Sequence, residues 1–292
     1  LPPAVPARLY DRAGTAGGSA DDPLSASRRE IERWRNHFAD LDMAAEELAD
    51  DMRLSRGDIG LALTERLRER HQLSVRILPR DVLPDSLRRL DLHARQVQLS
   101  EMLSIPSRNF QLALQLAQLE FAGAIDAVAK GARFDDEVAR ALFARHLNSY
   151  VAAALLMPYG RFLRACEATG YDLPVLERRF GVSFEQLAHR LTTLQRVGQR
   201  GLPFFMVRLD RAGQFSKTFT GASTALFVES DASCPLWHAH RAFDRAGDLQ
   251  VQFVALDNSG DRDGGWLTMA RTGEGSGAPG EAQFGGAGGD EA

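Results

Sequence analysis

Hydrophobic and polar residues follow the period of a helix through most of the segment 28–200. Ile31, Trp34 and Phe38 open this pattern, because residues three or four positions apart lie on one face of a helix. Apolar runs long enough for buried helices follow at 107–121 and 135–157. Only short segments alternate as a strand does, and these lie at 73–77 and 96–99. We therefore predict a mostly helical domain over 28–200.

The hydrophobic period changes after Pro203. Apolar and polar residues then alternate in short runs separated by turns, which predicts a small α+β domain with hairpins over 201–272. The ends 1–27 and 273–292 are rich in small residues and proline, and they hold few residues that could fill a core. Both ends are therefore predicted to be a disordered linker and a disordered tail. The predicted fold class is α+β.

The segment 172–200 has the pattern of a helix, a tight turn and a second helix. Gly181 marks the turn, and Ser183 and Gln186 have the spacing of a capping box. Two helices joined in this way either pack inside the domain, which we favour, or enter the major groove of DNA. In the second case, the side chains expected to contact DNA are Gln186, Arg190, Arg196 and Arg200.

Composition narrows the function classes. The 292 residues are 44% hydrophobic with a net charge of −4, so the chain has no basic surplus for sequence-independent phosphate binding. No apolar run approaches the roughly 18 residues of a membrane span, and the first residues lack the pattern of a signal peptide. The two cysteines, Cys166 and Cys234, fit a reducing compartment. We therefore expect a cytoplasmic protein.

A catalytic motif is present in a damaged form. The run LALQLAQL at 112–119, followed about 30 residues later by a helix ending in ALLMP, resembles the zincin-like ImmA/IrrE-type metallopeptidase fold. In that fold the two histidines of H-E-x-x-H and a glutamate on the later helix hold zinc, and the glutamate inside the motif acts as the general base. The matching positions here are Leu114, Gln115, Gln118 and Leu147. Leucine cannot bind zinc and glutamine is not a general base, so we expect a pseudo-metallopeptidase domain without metal or enzymatic activity. The alternative is a degenerate metallopeptidase that keeps residual hydrolase activity, which predicts a stoichiometric bound metal.

A wider resemblance covers roughly residues 40–272. The chain is similar to the ScfR-type family of short-chain fatty acyl transcriptional regulators in five blocks, which run in order as SRNFQLALQLAQLE, ALLMPYGRFL, RRFGVSFEQLAHRLTTLQR, GLPFFMVRLDRAGQFSK and CPLWHAHRAF. This resemblance implies an XRE-type helix-turn-helix at the N-terminus, a pseudo-peptidase middle region and a C-terminal region for acyl-CoA sensing. One member also has an iron-sulfur cluster.

Two departures from the family pattern limit this resemblance. No XRE domain precedes residue 28, so we expect a fragment of a longer regulator that reaches DNA through a missing domain. The cysteine-rich segment is also missing, and two cysteines cannot ligate a cluster that needs four, so no iron-sulfur cofactor is expected. The expected function is effector sensing in a bacterial, homo-oligomeric regulator of fatty-acid, propionate or glyoxylate metabolism.

The resemblance also implies a site for coenzyme A (CoA). Its phosphates need cationic side chains, and its adenine and acyl ends need flat or apolar surfaces. The expected ligand-binding residues are Tyr159, Arg161, Arg190, Phe205, Arg208, Arg211, Lys217 and Trp237. The alternative for each is ordinary: arginines on amphipathic helices usually face solvent, and aromatic residues are more often core.

Histidines and one cysteine form two further patterns that we interpret without catalysis. Cys234, His238 and His240 could form part of a metal site, but His240 would point elsewhere on a helix, so none is expected. His146 and His189 lie in apolar helices and are expected to be hydrogen-bonded core residues.

Overall fold

The computed structural model of the chain describes residues 22–54, 58–84, 86–210, 215–220, 238–255, 265–272 and 281–289, with side chains except at 215–218, 220, 238–239, 254–255, 265–266 and 281–289. The first part consists of helices and three short strands: α1 (Pro23–Arg33), α2 (Ala39–Asp51), α3 (Ile59–His71), β1 (Ser74–Leu78), β2 (Arg88–Asp91), β3 (Gln96–Ser100), α4 (Ile105–Glu120), α5 (Ala122–Gly131), α6 (Glu137–Leu156), α7 (Tyr159–Ala168), α8 (Leu173–Phe180) and α9 (Phe184–Leu191).

Local capping explains where several helices begin. The Asp22 carboxylate accepts from the backbone N–H of Ser25, and Pro23 occupies the first turn of α1. The predicted disordered linker 1–27 is therefore wrong for residues 22–27, because an acidic cap and a proline at the first position favour a helix there. The remainder of that prediction lies outside the described residues. Asp58 caps α3 in the same way by accepting from Leu61.

The core of the helical domain surrounds α6. Phe143, Leu147 and Val151 of this helix are fully buried, and the helix packs along α4. Asp136 caps its first turn, and Pro158 follows its C-cap residue Met157. The two apolar runs thus form the packed helix pair that the zincin resemblance implies.

The small sheet packs beside these helices in the order β1-β3-β2. β1 is parallel to β3, whereas β2 is antiparallel to it. Both predicted strands are confirmed, while β2 has no alternating pattern and is an addition to the prediction. Its sequence begins with two arginines, Arg88 and Arg89, whose side chains point to opposite faces because successive strand residues alternate.

The helix-turn-helix pattern is also present. Gly181 ends α8 in the left-handed conformation with φ of 62°, which costs glycine little. Ser183 and Gln186 form the expected capping box at the start of α9. The buried side of α9 includes Leu187 and Leu191, so this pair of helices packs into the domain.

The second part is an antiparallel sheet in the order β5-β4-β8-β7-β6. Its elements are β4 (Phe204–Asp210), β5 (Phe215–Thr220), a 3₁₀ helix (His238–Phe243), β6 (Gln250–Ala255), β7 (Gly265–Thr272) and β8 (Glu281–Gly289). The antiparallel pairs β4–β5 and β6–β7 are the expected hairpins. The predicted α+β class is therefore confirmed.

Strand β8 shows that the predicted disordered tail over 273–292 is wrong for residues 281–289, and the remainder of that prediction lies outside the described residues. It lies between β4 and β7 and pairs with both, for example Val207 with Phe284 and Met269 with Gly285. The ladder uses backbone N–H and C=O groups, so a glycine-rich strand can fill a central position without a hydrophobic pattern. Sequence patterning therefore fails to detect it.

No single helix in the described part of the chain has the length and apolar composition to cross a membrane; the bent pair α4 and α5, which turns by 75°, meets those criteria only when taken together.

Candidate functional site

A groove of about 1450 Å³ lies between the helical domain and the second sheet. α1, α4 and α6 supply one side of it, and the start of α9 with β4 and β7 supplies the other. Its apolar lining includes Leu114, Leu142, Phe184, Met206 and Phe219. This space is called the groove. It is large and polar at several points, as a site for an elongated, charged ligand would be.

The positions of the damaged peptidase motif lie at the groove. Leu114 and Gln118 line it from α4, Gln115 is buried beside them, and Leu147 is fully buried in α6. Leucine offers no ligand atom and these four side chains do not fit a zinc ion. Within the described ranges, no three His, Cys, Asp or Glu side chains form a group that could hold a metal.

The side chain of an arginine contacts the two glutamines of this motif. Arg88 reaches from β2 to α4, where its Nη1 donates to Oε1 of Gln115 at 2.8 Å and its Nη2 donates to Oε1 of Gln118 at 3.0 Å. Burial lowers the pKa of Arg88 from its ordinary value. The two glutamines, which stand at the positions of the general base and of the second zinc ligand of the peptidase motif, therefore hold a cationic side chain.

Two further arginines on the helical side have no acidic partner in the described ranges. Arg28 of α1 and Arg145 of α6 line the groove, and neither forms an ion pair with any side chain that the structure describes. A guanidinium in this situation can donate its N–H groups to an anionic ligand without first breaking an ion pair.

The opposite side of the groove has its arginines paired. Arg208 of β4 lies 3.5 Å from Glu185, and Arg271 of β7 pairs with Glu177. The guanidinium of Arg271 also stacks 4.6 Å from the ring centroid of Phe184. This side therefore offers an aromatic surface and fewer uncompensated charges.

An aromatic cluster closes the middle of the groove. The rings of His189 and Phe219 lie 4.5 Å apart, and His146 stacks on Phe219 at 5.4 Å. Nε2 of His146 donates to Oδ1 of the buried Asn36 at 2.9 Å. Nε2 of His189 lies 3.5 Å from Nδ2 of the same asparagine. The prediction that these histidines are hydrogen-bonded is therefore correct for both, but both rings line the groove and are not enclosed in the core.

The structure corrects the prediction for Arg190. This side chain is fully buried, and its Nη2 donates to Oδ1 of Asp42 at 2.6 Å. Its Nε donates to the carbonyl of Met157, and its Nη1 donates to Thr193. A guanidinium enclosed in this way has no surface to offer CoA or DNA. Of the side chains that the helix-turn-helix alternative expects to contact DNA, Arg190 is therefore not available at the surface.

Asp42 and Arg190 form the centre of a network in the core. Burial alone would raise the pKa of Asp42, but the charge of Arg190 and hydrogen bonds from His37, Arg190 and Tyr150 together hold it well below its usual range. The Tyr150 hydroxyl donates to Oδ2 of Asp42 at 2.7 Å and accepts from the backbone of Phe38. The network therefore joins α2, α6 and α9.

Tyr159, another predicted ligand-binding residue, is likewise enclosed by other parts of the chain. It is fully buried, its hydroxyl donates to the carbonyl of Gln199 and it accepts from the backbone N–H of Arg196. The guanidinium of Arg196 covers its ring at 4.0 Å and pairs with Glu46. Phe205 is also buried, and it lies on the face of β4 opposite Met206 and Arg208.

The other predicted residues have different outcomes. Arg208 and Gln186 line the groove, whereas Arg161 and Arg200 do not. Contact between DNA and Gln186, Arg196 or Arg200 remains a prediction. Arg211, Trp237 and Cys234 lie outside the described residues, and so do the side chains of Lys217 and His238. Cys166 is buried, and burial raises the pKa of its thiol to about 12.

Sequence reasoning misses most of the groove. The predicted ligand-binding residues do not include Arg28, Arg88 or Arg145, nor Phe184 as an aromatic wall. One signal exists for Arg145, since it lies two residues before Leu147 on the helix that the zincin resemblance assigns to the site. No signal points to Arg88, because β2 itself lacks a strand pattern.

Comparisons with known proteins agree with this architecture. Residues 68–192 match the family described as IrrE N-terminal-like domain, and residues 193–284 match the family described as short-chain fatty acyl coenzyme A regulator, C-terminal. The HTH-type transcriptional regulator RamB of Mycobacterium tuberculosis is 37% identical over 260 residues, which are 89% of this chain and 53% of that protein.

Two further matches come from the same organism. The HTH-type transcriptional regulator PrpR is 37% identical over 246 residues, 83% of this chain and 49% of that protein. A solved structure titled Mycobacterium tuberculosis transcriptional regulator has a TM-score of 0.80 and 33% identity, and the match covers 91% of this chain and 81% of that one. The chain spans about half the length of the curated relatives it matches.

Proposed function

Since the chain belongs to the family of short-chain fatty acyl coenzyme A regulators, we propose that its groove binds a CoA thioester and that the chain is the effector-sensing part of a bacterial transcription regulator. The regulated processes are fatty-acid, propionate or glyoxylate metabolism. The observation that supports this most strongly is the groove itself, which combines aromatic and aliphatic walls with arginines that have no acidic partner among the side chains the structure describes.

The dimensions of the groove suit such a ligand. Pockets for drug-sized molecules have volumes of about 300–1,000 Å³, and the groove exceeds this range at about 1450 Å³. CoA is long and carries phosphates at one end and an acyl thioester at the other. A groove of this volume, lined by arginines as well as by apolar side chains, has room and contacts for both ends.

The charges of the groove also suit it. Arg28 and Arg145 lie on the helical side, and the described side chains offer neither of them a carboxylate. Phosphate oxygens would complete their hydrogen bonding with charge-assisted bonds. The rings of Phe184 and Phe219 and the side chains of Leu114 and Leu142 offer apolar contacts to an adenine or an acyl chain.

Binding at this place would couple the two parts of the chain. The groove is lined by α4 and α6 on one side and by β4 and β7 on the other, so a bound ligand contacts both and favours the arrangement that binds it best. Such a bias reaches DNA through an attached helix-turn-helix domain or through the contact between subunits of a homo-oligomer.

Thermal unfolding tests the proposal. We expect CoA, acetyl-CoA or propionyl-CoA in excess to raise the melting temperature by a few degrees, since a ligand at 100 times its Kd adds about 2.7 kcal/mol of stability. Zinc chloride should have no such effect. A flat response to every CoA ester, or stabilisation by stoichiometric zinc, would contradict the proposal.

Substitutions of single arginines by alanine test whether the ligand binds in the groove. Arg145→Ala is expected to weaken CoA binding by about tenfold, because it removes charge-assisted hydrogen bonds to a phosphate. The matched control is Arg70→Ala, an exposed arginine of α3 that lies outside the groove. Equal losses of affinity in both variants would indicate nonspecific charge attraction instead of a site.

A further inference from the structure

Arg88 is held between two neutral partners. Its guanidinium donates to the amide oxygens of Gln115 and Gln118, and Nη1 also lies 3.5 Å from the carbonyl of Gln111. No Asp or Glu pairs with it in the described part of the chain. The charge of Arg88 is therefore fixed in position without being neutralised.

This arrangement is energetically unfavourable unless an anion binds to Arg88. A partly buried cation without a counter-ion loses hydration that amide oxygens only partly replace. Burial accordingly lowers the pKa of Arg88. Glutamate at position 115 or 118 would neutralise the charge by changing one atom of the side chain. The sequence has glutamine at both positions, so the charge remains available to the groove.

The geometry leaves a usable edge of the guanidinium. A guanidinium has five N–H donors, and the described hydrogen bonds of Arg88 use both N–H groups of Nη1 and one of Nη2. The N–H of Nε and the second N–H of Nη2 have no partner among the described residues. In a guanidinium the N–H of Nε and one N–H of the neighbouring amino group lie parallel, and such an edge matches the two oxygens of a carboxylate or phosphate.

We propose that Arg88, positioned by Gln115 and Gln118, is a receptor for an oxyanion of the ligand, either a carboxylate or a phosphate. It lies at the place where the peptidase resemblance puts the metal ligands, so a fixed guanidinium supplies the positive charge that a zinc ion supplies in a metallopeptidase. The proposal rests on the proposed function in that the groove is the ligand site.

Two variants remove the receptor in different ways. Gln118→Glu places a carboxylate at the 3.0 Å position next to Nη2 and neutralises Arg88 without removing it. Arg88→Gln removes the charge. Both are expected to weaken binding of the anionic ligand by about 10- to 100-fold, the range of a charge-assisted bidentate contact. Since Gln118→Glu adds an ion pair, it should fold even if Arg88→Gln does not.

The neighbouring arginine supplies a matched control. Arg89 is next to Arg88 on β2, faces the other side of the sheet and donates to Gln98 at 2.8 Å. Arg89→Gln makes the same chemical change on the same strand outside the groove. Its affinity for every ligand should equal that of the unchanged chain.

Calorimetric titration with matched ligands identifies the oxyanion. Methylmalonyl-CoA differs from propionyl-CoA by one carboxylate, and CoA differs from dephospho-CoA by one phosphate. Gln118→Glu should abolish the preference for the first member of one of these pairs. Unchanged affinity of Gln118→Glu for all four ligands would overturn the receptor while leaving CoA binding intact.

Experiment can distinguish failure of the proposed CoA binding from failure of the oxyanion receptor. If the unchanged chain binds no CoA ester, then pyrophosphate and succinate are titrated instead. If the unchanged chain binds either anion, and Gln118→Glu abolishes this binding while Arg89→Gln retains it, the result supports the receptor although the proposed function has failed. Absence of binding, or equal binding by all variants, overturns the receptor as well.

Discussion

The core of the helical domain and the wall of the groove each contain a desolvated arginine, and their partners differ. Arg190 in the core donates to the carboxylate of Asp42, to a threonine hydroxyl and to a carbonyl. Arg88 at the groove donates to amide and carbonyl oxygens that carry no charge. The first guanidinium is neutralised within the protein, and the second is only oriented by it.

The contrast shows how one residue type serves structure in one place and recognition in another. A buried ion pair is costly to break, because removing one partner leaves an uncompensated charge. An arginine held by amides keeps an electrostatic attraction for anions that approach it. The partner, and not the arginine, therefore decides whether the charge is available to a ligand.

The largest loss of stability is expected where the core pair is broken. Asp42→Asn leaves Arg190 buried without a counter-ion and should lower the free energy of unfolding by about 3–5 kcal/mol. Urea denaturation measures this loss. Glu47→Gln, an exposed change on the same helix α2, should cost little. A loss below about 1 kcal/mol for Asp42→Asn would mean that the core pair is not a stabilising junction.

Acid should weaken the same junction by a smaller amount. The pKa of Asp42 is lowered in the folded state, so the contribution of the pair is fully present above the unfolded pKa of about 3.9 and is lost as pH falls through the folded value. Unfolding free energies between about pH 6 and pH 2 should therefore fall more steeply in the unchanged chain than in Asp42→Asn. Parallel pH profiles of the unfolding free energy for the two proteins would contradict a lowered pKa of Asp42 in the folded state.

The smallest change in stability is expected at the groove and has the opposite sign. Gln118→Glu gives Arg88 a charged partner at a largely exposed position, so stability should rise by at most about 1 kcal/mol. Thermal unfolding measures the gain. The same change in an Arg88→Gln background should give none, because the ion pair cannot form. Destabilisation by Gln118→Glu alone would show that Arg88 needs an amide for structural reasons.

Several elements are predictable from the sequence for local reasons. The capping box of Ser183 and Gln186 and the turn at Gly181 involve residues within a few positions of each other, and the structure has both. The same holds for β1, whose alternating residues are visible without a partner strand. The absence of zinc ligands at Leu114, Gln115 and Gln118 is likewise a property of the sequence.

The site is harder to predict for nonlocal reasons. Arg190 and Asp42 are 148 positions apart, so nothing near Arg190 shows that it is buried. Tyr159 and Phe205 look equally suitable as pocket walls, and only their burial separates them from Phe184, which lines the groove. Strand β8 shows the same limit, because its pairing partners lie far from it along the chain.

Residue type and spacing within about one turn are enough to specify the helices, their caps, the α+β class and the loss of the metal-binding residues. Which arginines are neutralised and which face the groove is settled only when the chain is folded. Charge compensation depends on distance in space, and folding brings Arg88 to Gln118 and Arg190 to Asp42 from distant positions in the chain.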